Sequence, residues 1–127
     1  MALMSNTSNT QKEKPDLHVI EGEQLSAVTF VQDYVQLHFD GPMLTAVTWP
    51  VVVFDGRQFE FGFPGYRDAL CALIAKKVIR VSISPGDRLE ICFGSGDVLS
   101  ISLRPESYEA DEAAIFTDIA NKTWAVW

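Results

Sequence analysis

Few side chains in this sequence have the types and spacing that metal binding requires. The histidines His18 and His38 lie far apart, as do the cysteines Cys71 and Cys92. A zinc or iron site needs three or four converging ligands, and the sequence contains no HExxH, CxxC or His-x-His pattern. We therefore expect no metal and no cofactor. We expect both cysteines to be small buried hydrophobic residues in a reducing cytoplasm.

Nucleophilic catalysis has equally little support. A serine nucleophile needs a base within hydrogen-bonding reach, and no GxSxG elbow occurs. The stretch Gly94-Ser95-Gly96 lies between two alternating apolar patterns, which favours a hairpin loop over a nucleophile or a phosphate cradle. We therefore expect no catalytic residue and predict that the protein is not an enzyme.

Three polar residues leave open an alternative function. Tyr34, His38 and Asp40 fall on the polar side of the alternating segment from Tyr34 to Asp40. If this face lined a deep pocket, the protein would be a small-ligand-binding protein or an enzyme. This alternative requires the three side chains to lie around one cavity.

The elements that would position these residues are mainly strands. Strict alternation of apolar residues marks the segments from residue 34, residue 79, residue 88 and residue 98 as half-buried strands. Asp40-Gly41-Pro42 and Asp55-Gly56 provide turns, and Pro50 interrupts the apolar stretch from Met43 to Phe54. Residues 57–63 are expected to form one strand with three phenylalanines on one face, and residues 122–127 a final strand.

Helical periodicity appears once clearly. The spacing of Tyr66, Ala69, Leu70 and Leu73 predicts a helix over residues 66–77, and a second short helix is expected near residues 106–116. A weak similarity between the sequence patterns at Val35 and Leu89, an echo of one in the other, has two explanations, an internal duplication or two ordinary hairpins.

We predict residues 1–16 as a flexible N-terminal tail and residues 17–127 as a single α+β domain. Its sheet should be mainly antiparallel, with about 7–8 strands.

Charge excludes some partners. Ten basic residues face seventeen acidic ones, a formal net charge of −7, which disfavours nucleic-acid binding. No apolar run is long enough to cross a bilayer, so no membrane partner is expected. The candidate acidic surface consists of Glu106, Glu109, Asp111 and Glu112. A solvated helix face explains it most simply, and attraction of a basic partner is its alternative use.

Large aromatic residues form the candidate interaction surface, which comprises Trp49, Tyr66, Trp124 and Trp127. Tryptophan and tyrosine are enriched where one protein surface is buried by another. Two interpretations stay open at this point. The rings fill one intramolecular core, or they form a patch for self-association or for a protein partner.

Several stretches between Ala27 and Trp127 resemble a set of small bacterial proteins that share a domain of unknown function. They are Asp40-Gly41-Pro42, Thr48-Trp49-Pro50, the segment from Gly65 to Ile74, the segment from Ser102 to Glu106, Glu112-Ala113-Ala114, and the segment from Trp124 to Trp127. The resemblance implies no catalytic residue, because that set has no assigned activity. Small acidic, strand-rich proteins are also similar to immunity proteins of bacterial toxin systems.

These observations together predict a bacterial, cytoplasmic, non-catalytic protein-interaction domain. It is either immunity-like or self-associating, so the partner is another protein or a second copy in a homodimer. Charge would steer a basic partner, and aromatic anchors would hold it.

Overall fold

The computed structural model describes residues 17–107, 112–118 and 123–127. The predicted tail, residues 1–16, lies outside the described residues. The described parts contain one α-helix, α1, Tyr66–Ala72, and two 3-10 turns, Leu17–Ile20 and Pro105–Ser107. The strands are β1 Ala27–Val31, β2 Tyr34–His38, β3 Met43–Ala46, β4 Val51–Phe54, β5 Arg57–Phe59, β6 Val78–Ser84, β7 Arg88–Phe93, β8 Val98–Ser102, β9 Ala114–Asp118 and β10 Thr123–Val126.

The strands form two antiparallel sheets of five strands each. The first sheet has the order β1-β2-β3-β9-β10, and the second has the order β5-β4-β8-β7-β6. This confirms the α+β class and the mainly antiparallel sheet. The expected count of 7–8 strands was too low, partly because Pro50 separates β3 from β4 into different sheets. The final strand predicted at the end of the chain is present as β10.

Local patterns explain the hairpins. Val35 and Leu37 of β2 are fully buried while their neighbours are half-buried, as the alternation predicted. Asp55 and Gly56 connect β4 to β5 with φ of 54° and 76°, which are the two positive values that a type I′ turn requires. Asp-Gly supports this backbone with little strain, so the sequence signal and the structure agree.

The second predicted helix, near residues 106–116, is wrong where the structure describes it. Only Pro105–Ser107 is helical, as a 3-10 turn, and Ala114–Asp118 is the strand β9. Residues 108–111 lie outside the described residues. Phe116 is directly opposite Leu44 of β3, and both are fully buried. A short apolar run fits either period, so pairing with β3 decided the conformation.

Helix α1 is shorter than predicted, because it ends at Ala72 and not near residue 77. Ala75 adopts a left-handed φ of 76°, and its N–H donates to the carbonyl of Leu25. Gln24 and Lys77 then form an isolated antiparallel bridge. The backbone after α1 therefore pairs with the segment before β1, which ends the helix.

Each sheet combines a meander from one half of the chain with a hairpin from the other half, an exchange of hairpins between the sheets. β1 to β3 form a three-stranded meander that is followed by the hairpin β4–β5, and β6 to β8 form a meander that is followed by β9–β10. Each hairpin joins the other meander, since Leu44 pairs with Phe116 and Leu99 pairs with Val52. The two halves of the chain therefore have the same topology, and the echo seen in the sequence coincides with equivalent strands, β2 and β7.

One hydrophobic cluster lies beneath both sheets. Inward residues of the first sheet, including Leu37 and Phe116, belong to the same buried cluster as Ile91 and Leu99 of the second sheet. The core thus depends on both halves at once. Across the described residues, no helix is long and apolar enough to span a membrane.

Candidate functional site: the aromatic cap

A cluster of four aromatic rings lies at the junction of the two sheets. Trp49 lies in the link between β3 and β4, Phe61 and Phe63 lie in the loop between β5 and α1, and Tyr66 is the first residue of α1. We call Trp49, Phe61, Phe63 and Tyr66 the aromatic cap. The structure thus brings two residues of the predicted interaction surface, Trp49 and Tyr66, into one site.

Phe61 contacts two of the other rings of the cap. Its ring stacks on Trp49 with a centroid distance of 4.3 Å and an interplanar angle of 19°. It also meets the edge of Tyr66 at 6.0 Å and 86°. Both are favourable arrangements of aromatic quadrupoles. The stack holds Phe61 in place although about half of its surface is open to solvent.

Tyr66 anchors the cap to the core. Its side chain is buried, and its hydroxyl donates a hydrogen bond to the carbonyl of Pro50. Burial raises the pKa of the Tyr66 phenol above its ordinary value, since the charged form would lose hydration. Tyr66 is therefore a neutral hydrogen-bond donor that fixes the start of α1 against the link before β4.

The loop that carries the two phenylalanines is held by its own backbone. The N–H of Phe63 donates to the carbonyl of Glu60 at 2.9 Å, and the N–H of Tyr66 donates to that of Phe63 at 3.1 Å. Gly65 has a φ of 86°, and a Cβ there would lie 3.2 Å from the ring of Phe59. Only glycine fits this close approach in a left-handed conformation without strain. The two consecutive turns present both rings in a defined position.

The cap exposes a large apolar area. Phe61 is 52% exposed and Phe63 is 54% exposed. An open depression of about 310 Å³ lies beside them, lined by residues 61–68. Arg67 and Asp68 are the charged residues of its rim, and the Arg67 guanidinium lies 5.8 Å from the ring centre of Phe30. The depression therefore offers apolar walls with one positive and one negative group beside them.

The other two predicted interaction residues lie on strand β10 and beside it. Trp124 projects from the outer face of the first sheet and is 65% exposed. Trp127 packs partly against the core, and its backbone exchanges hydrogen bonds with Ala114. Trp127 therefore contributes to the core and Trp124 to the surface, so the four predicted residues do not share one environment.

Phe61 and Phe63 were missed as site residues. The pattern of residues 57–63 predicted one strand that also contains Phe59, but β5 ends at Phe59 and both residues lie in the following turns. The sequence signal was present, because Gly62, Pro64 and Gly65 interleave with the rings and favour turns over a continuing strand. Aromatic residues within such a turn-rich stretch are candidates for exposure.

The predicted acidic surface is described only in part. Glu106 is exposed in the 3-10 turn and Glu112 is half-buried before β9. Glu109 and Asp111 lie outside the described residues.

The alternative polar site is divided between two places. Tyr34 and His38 lie on the outer face of β2, where His38 Nε2 is 3.1 Å from Thr29 Oγ1. Asp40 lies in the following turn, with its N–H donating to Ser26 Oγ, and lines a different depression, of about 330 Å³. Neither Tyr34 nor His38 lines that depression or the one beside the cap.

A second polar cluster surrounds Asp97 in the hairpin loop between β7 and β8. The Asp97 carboxylate accepts hydrogen bonds from Ser95 Oγ at 2.6 Å, from Lys76 Nζ at 3.0 Å and from the backbone N–H of Asp55 at 3.1 Å. Burial alone would raise the pKa of Asp97, but these donors outweigh burial and hold the pKa below its ordinary value. Gly94-Ser95-Gly96 thus lies in a hairpin loop, as predicted, and Ser95 donates to a carboxylate there.

The cysteines differ from each other. Cys92 is buried and lies 3.5 Å from an Arg80 guanidinium nitrogen, whereas Cys71 is exposed on α1. The prediction that both are buried is wrong for Cys71, because α1 buries only the stripe containing Tyr66, Ala69 and Leu70. Within the described ranges, no three histidine, cysteine or acidic side chains are grouped so that they could hold a metal ion.

The chain has no match among protein-family models, curated proteins or solved structures. The resemblance to the bacterial proteins that share a domain of unknown function therefore stays a prediction.

Proposed function

We propose that this chain is a non-catalytic protein-interaction domain that binds its partner through the aromatic cap. The single observation that carries the proposal is the exposure of Phe61 and Phe63, each more than half open on a loop held by its own hydrogen bonds. Rigid aromatic side chains supply binding energy with little loss of conformational entropy. An apolar side chain of the partner would enter the depression beside them.

Charge defines the partner further. The net charge of −7 attracts a basic protein over long range and speeds its encounter. At the cap, Arg67 and Asp68 offer one group of each sign to polar residues around the apolar contact. The preferred partner therefore has a basic surface with an exposed apolar residue at its centre.

An immunity-like inhibitor of a bacterial toxin is the most concrete form of this proposal. Such a protein acts by covering a surface and needs no reactive side chain of its own. The resemblance to small bacterial proteins without assigned activity and the expected cytoplasmic location are compatible with that role, and both belong to the proposal.

Affinity capture with a matched pair of variants tests the proposal. The tagged chain and the double variant Phe61→Ala/Phe63→Ala are incubated with an extract of the cells that express the protein. We expect the unmodified chain to retain a stoichiometric protein and the double variant to lose at least about 10-fold of it, equivalent to about 1.4 kcal/mol.

The control is Ile79→Ala, which removes a comparably exposed apolar side chain, 60% open, from strand β6. Thermal unfolding of each variant verifies that the fold is kept. Equal capture by the double variant and the unmodified chain would contradict the proposal, and so would recovery of the bait with no companion protein.

A further inference from the structure

We infer that strand β10 is a self-association edge, at which it pairs antiparallel with β10 of a second copy about a two-fold axis. The pairing would join the first sheets of two chains into one sheet of ten strands. This inference does not rest on the aromatic cap, which lies on other elements.

The outward backbone groups of β10 are those of Trp124 and Val126. Ala114 and Trp127 exchange backbone hydrogen bonds with each other, so Trp127 directs its groups toward β9. Antiparallel ladders alternate in this respect, so Ala125 also faces β9 while Trp124 and Val126 face away. Among the described residues, no hydrogen bond reaches those outward groups.

The edges of the second sheet are protected. Along β6, the N–H of Val78 donates to Glu23, and the N–H of Val81 donates to the Glu21 carboxylate at 2.8 Å. The hydrogen bond from Val81 lowers the pKa of Glu21, so the carboxylate that covers this edge stays charged. The edge strand β5 has three residues, and its first is the exposed Arg57. Short edges, charged residues and covering segments all prevent pairing with another chain.

Strand β1, the other edge of the first sheet, is also partly covered. Helix α1 contacts β1, and the guanidinium of Arg67 lies over the ring of Phe30. Strand β10 contains neither a charged residue nor a proline. Among the described residues, it therefore has neither a charged side chain like that of β5 nor covering contacts like those of β6 and β1.

The sequence of β10 is complementary to itself. A two-fold axis through Ala125 places Trp124 opposite Val126 of the partner subunit, and Val126 opposite Trp124 of the partner subunit. Because these residues carry the outward groups, each pair makes two backbone hydrogen bonds. Aromatic and β-branched residues are favourable cross-strand neighbours, and Ala125 fits the close pair on the axis.

The outer face of the first sheet has no charged side chain that would repel a second copy. Alternation and register place twelve residues on this face, and none is Lys, Arg, Asp or Glu. They are Ala27, Thr29, Val31, Tyr34, Gln36, His38, Met43, Thr45, Ile115, Thr117, Trp124 and Val126. The second sheet presents Arg80, Arg88 and Glu90 on its strands. An uncharged self-complementary edge favours a second copy over a basic partner, which would need acidic groups there.

The size of the contact predicts a weak dimer. A four-residue strand and one tryptophan per chain bury less than about 1,200 Å², which is typical of transient complexes. We expect the full chain to be monomeric near about 1 µM and largely dimeric near about 1 mM in sedimentation equilibrium.

Matched charge variants test the edge. Trp124→Lys and Val126→Lys each place two like charges near the axis, and we expect either to weaken dimerisation at least about 10-fold. Gln58→Lys is the control, since Gln58 occupies the position on β5 that Trp124 occupies on β10. A chain that is monomeric at every concentration, or a dimer that either β10 variant leaves intact, would overturn the inference.

Disulfide trapping tests the register. Residues facing each other across a non-hydrogen-bonded pair have Cα atoms about 4.5 Å apart, which a disulfide can bridge. In a Cys71→Ser background, Ala125→Cys should form a covalent dimer under mild oxidation and Gln58→Cys should not. Equal cross-linking of the two variants would show random collision and would also overturn the inference.

Discussion

At the scale of single residues, the buried carboxylate of Asp97 shows how electrostatics and chain geometry combine. It receives hydrogen bonds from a β4–β5 turn residue, from Lys76 after α1 and from Ser95 in its own loop. One side chain thus ties three connections of the second sheet together. Lys76 also lies 5.0 Å from the ring centre of Phe54, which adds a cation–π contact to the same junction.

Asp97→Asn should reveal this contribution as a pH dependence of stability. In the folded protein the pKa of Asp97 lies below its ordinary value of 3.8. The ionised carboxylate therefore stabilises the fold fully above pH 3.8, and this stabilisation is lost as the pH falls through the folded pKa. We expect the substitution to lower the free energy of unfolding by about 2 kcal/mol at pH 7, measured by urea titration. The difference from the unmodified chain should shrink below about pH 4. A constant difference from pH 7 to pH 2 would contradict this assignment.

Substitution of Ala75 is expected to stabilise the fold. It has a φ of 76°, a region in which an L-residue with a Cβ is strained. Ala75→Gly should relieve that strain, although glycine gains entropy in the unfolded chain, so we expect a net stabilisation of about 0.5 kcal/mol. Chemical denaturation measures the change, with Ala72→Gly in α1 as a control that should destabilise by a similar or larger amount.

At the scale of elements, the loop between β5 and α1 determines how the aromatic cap is displayed. Two turns, closed by backbone hydrogen bonds from Phe63 to Glu60 and from Tyr66 to Phe63, place the phenylalanine rings of the cap beyond the end of β5. Helix α1 spans only two turns, so its stability comes from packing of Tyr66, Ala69 and Leu70 against the core. The position of the cap therefore depends on these two turns and on the packing of α1.

Glycine substitutions in this loop separate backbone strain from steric clash. Gly62 and Gly65 both have positive φ, but a Cβ at Gly62 meets nothing within 4 Å while one at Gly65 lies 3.2 Å from Phe59. Gly62→Ala should cost about 1 kcal/mol from strain alone. Gly65→Ala should cost about 1 kcal/mol more and weaken partner capture, because Phe59 must move. Equal unfolding free energies for the two variants would show that the clash is absent.

At the scale of the whole molecule, the exchange of hairpins makes each sheet depend on both halves of the chain. Hairpin β9–β10 completes the sheet of the first meander, and β4–β5 completes that of the second. The inward residues of both sheets share one buried cluster. Neither half can bury its apolar face alone, so we expect the domain to unfold in one cooperative transition.

Phe116→Ala tests this cooperativity. Phe116 is fully buried on β9 and pairs with Leu44. Its truncation should cost about 3–5 kcal/mol and should accelerate native-state hydrogen exchange in both sheets by a similar factor. Thr117→Ala, one residue further and facing outward, should cost less than about 1 kcal/mol. Faster exchange confined to the first sheet would contradict a single cooperative unit.

Features that depend on neighbours along the chain could be predicted from the amino-acid sequence. Alternation in β2, β7 and β8, the type I′ turn at Asp55-Gly56 and the start of α1 at Tyr66 all follow from local periodicity and turn chemistry. Trp49 and Tyr66 were predicted to be interaction residues because of their chemical type. Their neighbour Phe61 was missed, because its exposure depends on where β5 ends.

The pairing of distant segments could not be predicted from the sequence, because it depends on tertiary contacts. Phe116 lies in a strand because β3 offers Leu44 as its partner, although its own segment also fits a helical period. Likewise, Trp124 is exposed and Trp127 packs against the core because pairing with β9 places Trp124 on the outer face of the first sheet and Trp127 on the inner face. These outcomes follow from contacts between residues far apart in the chain. Local patterns carry little information about such contacts, because burial of the whole apolar surface selects them.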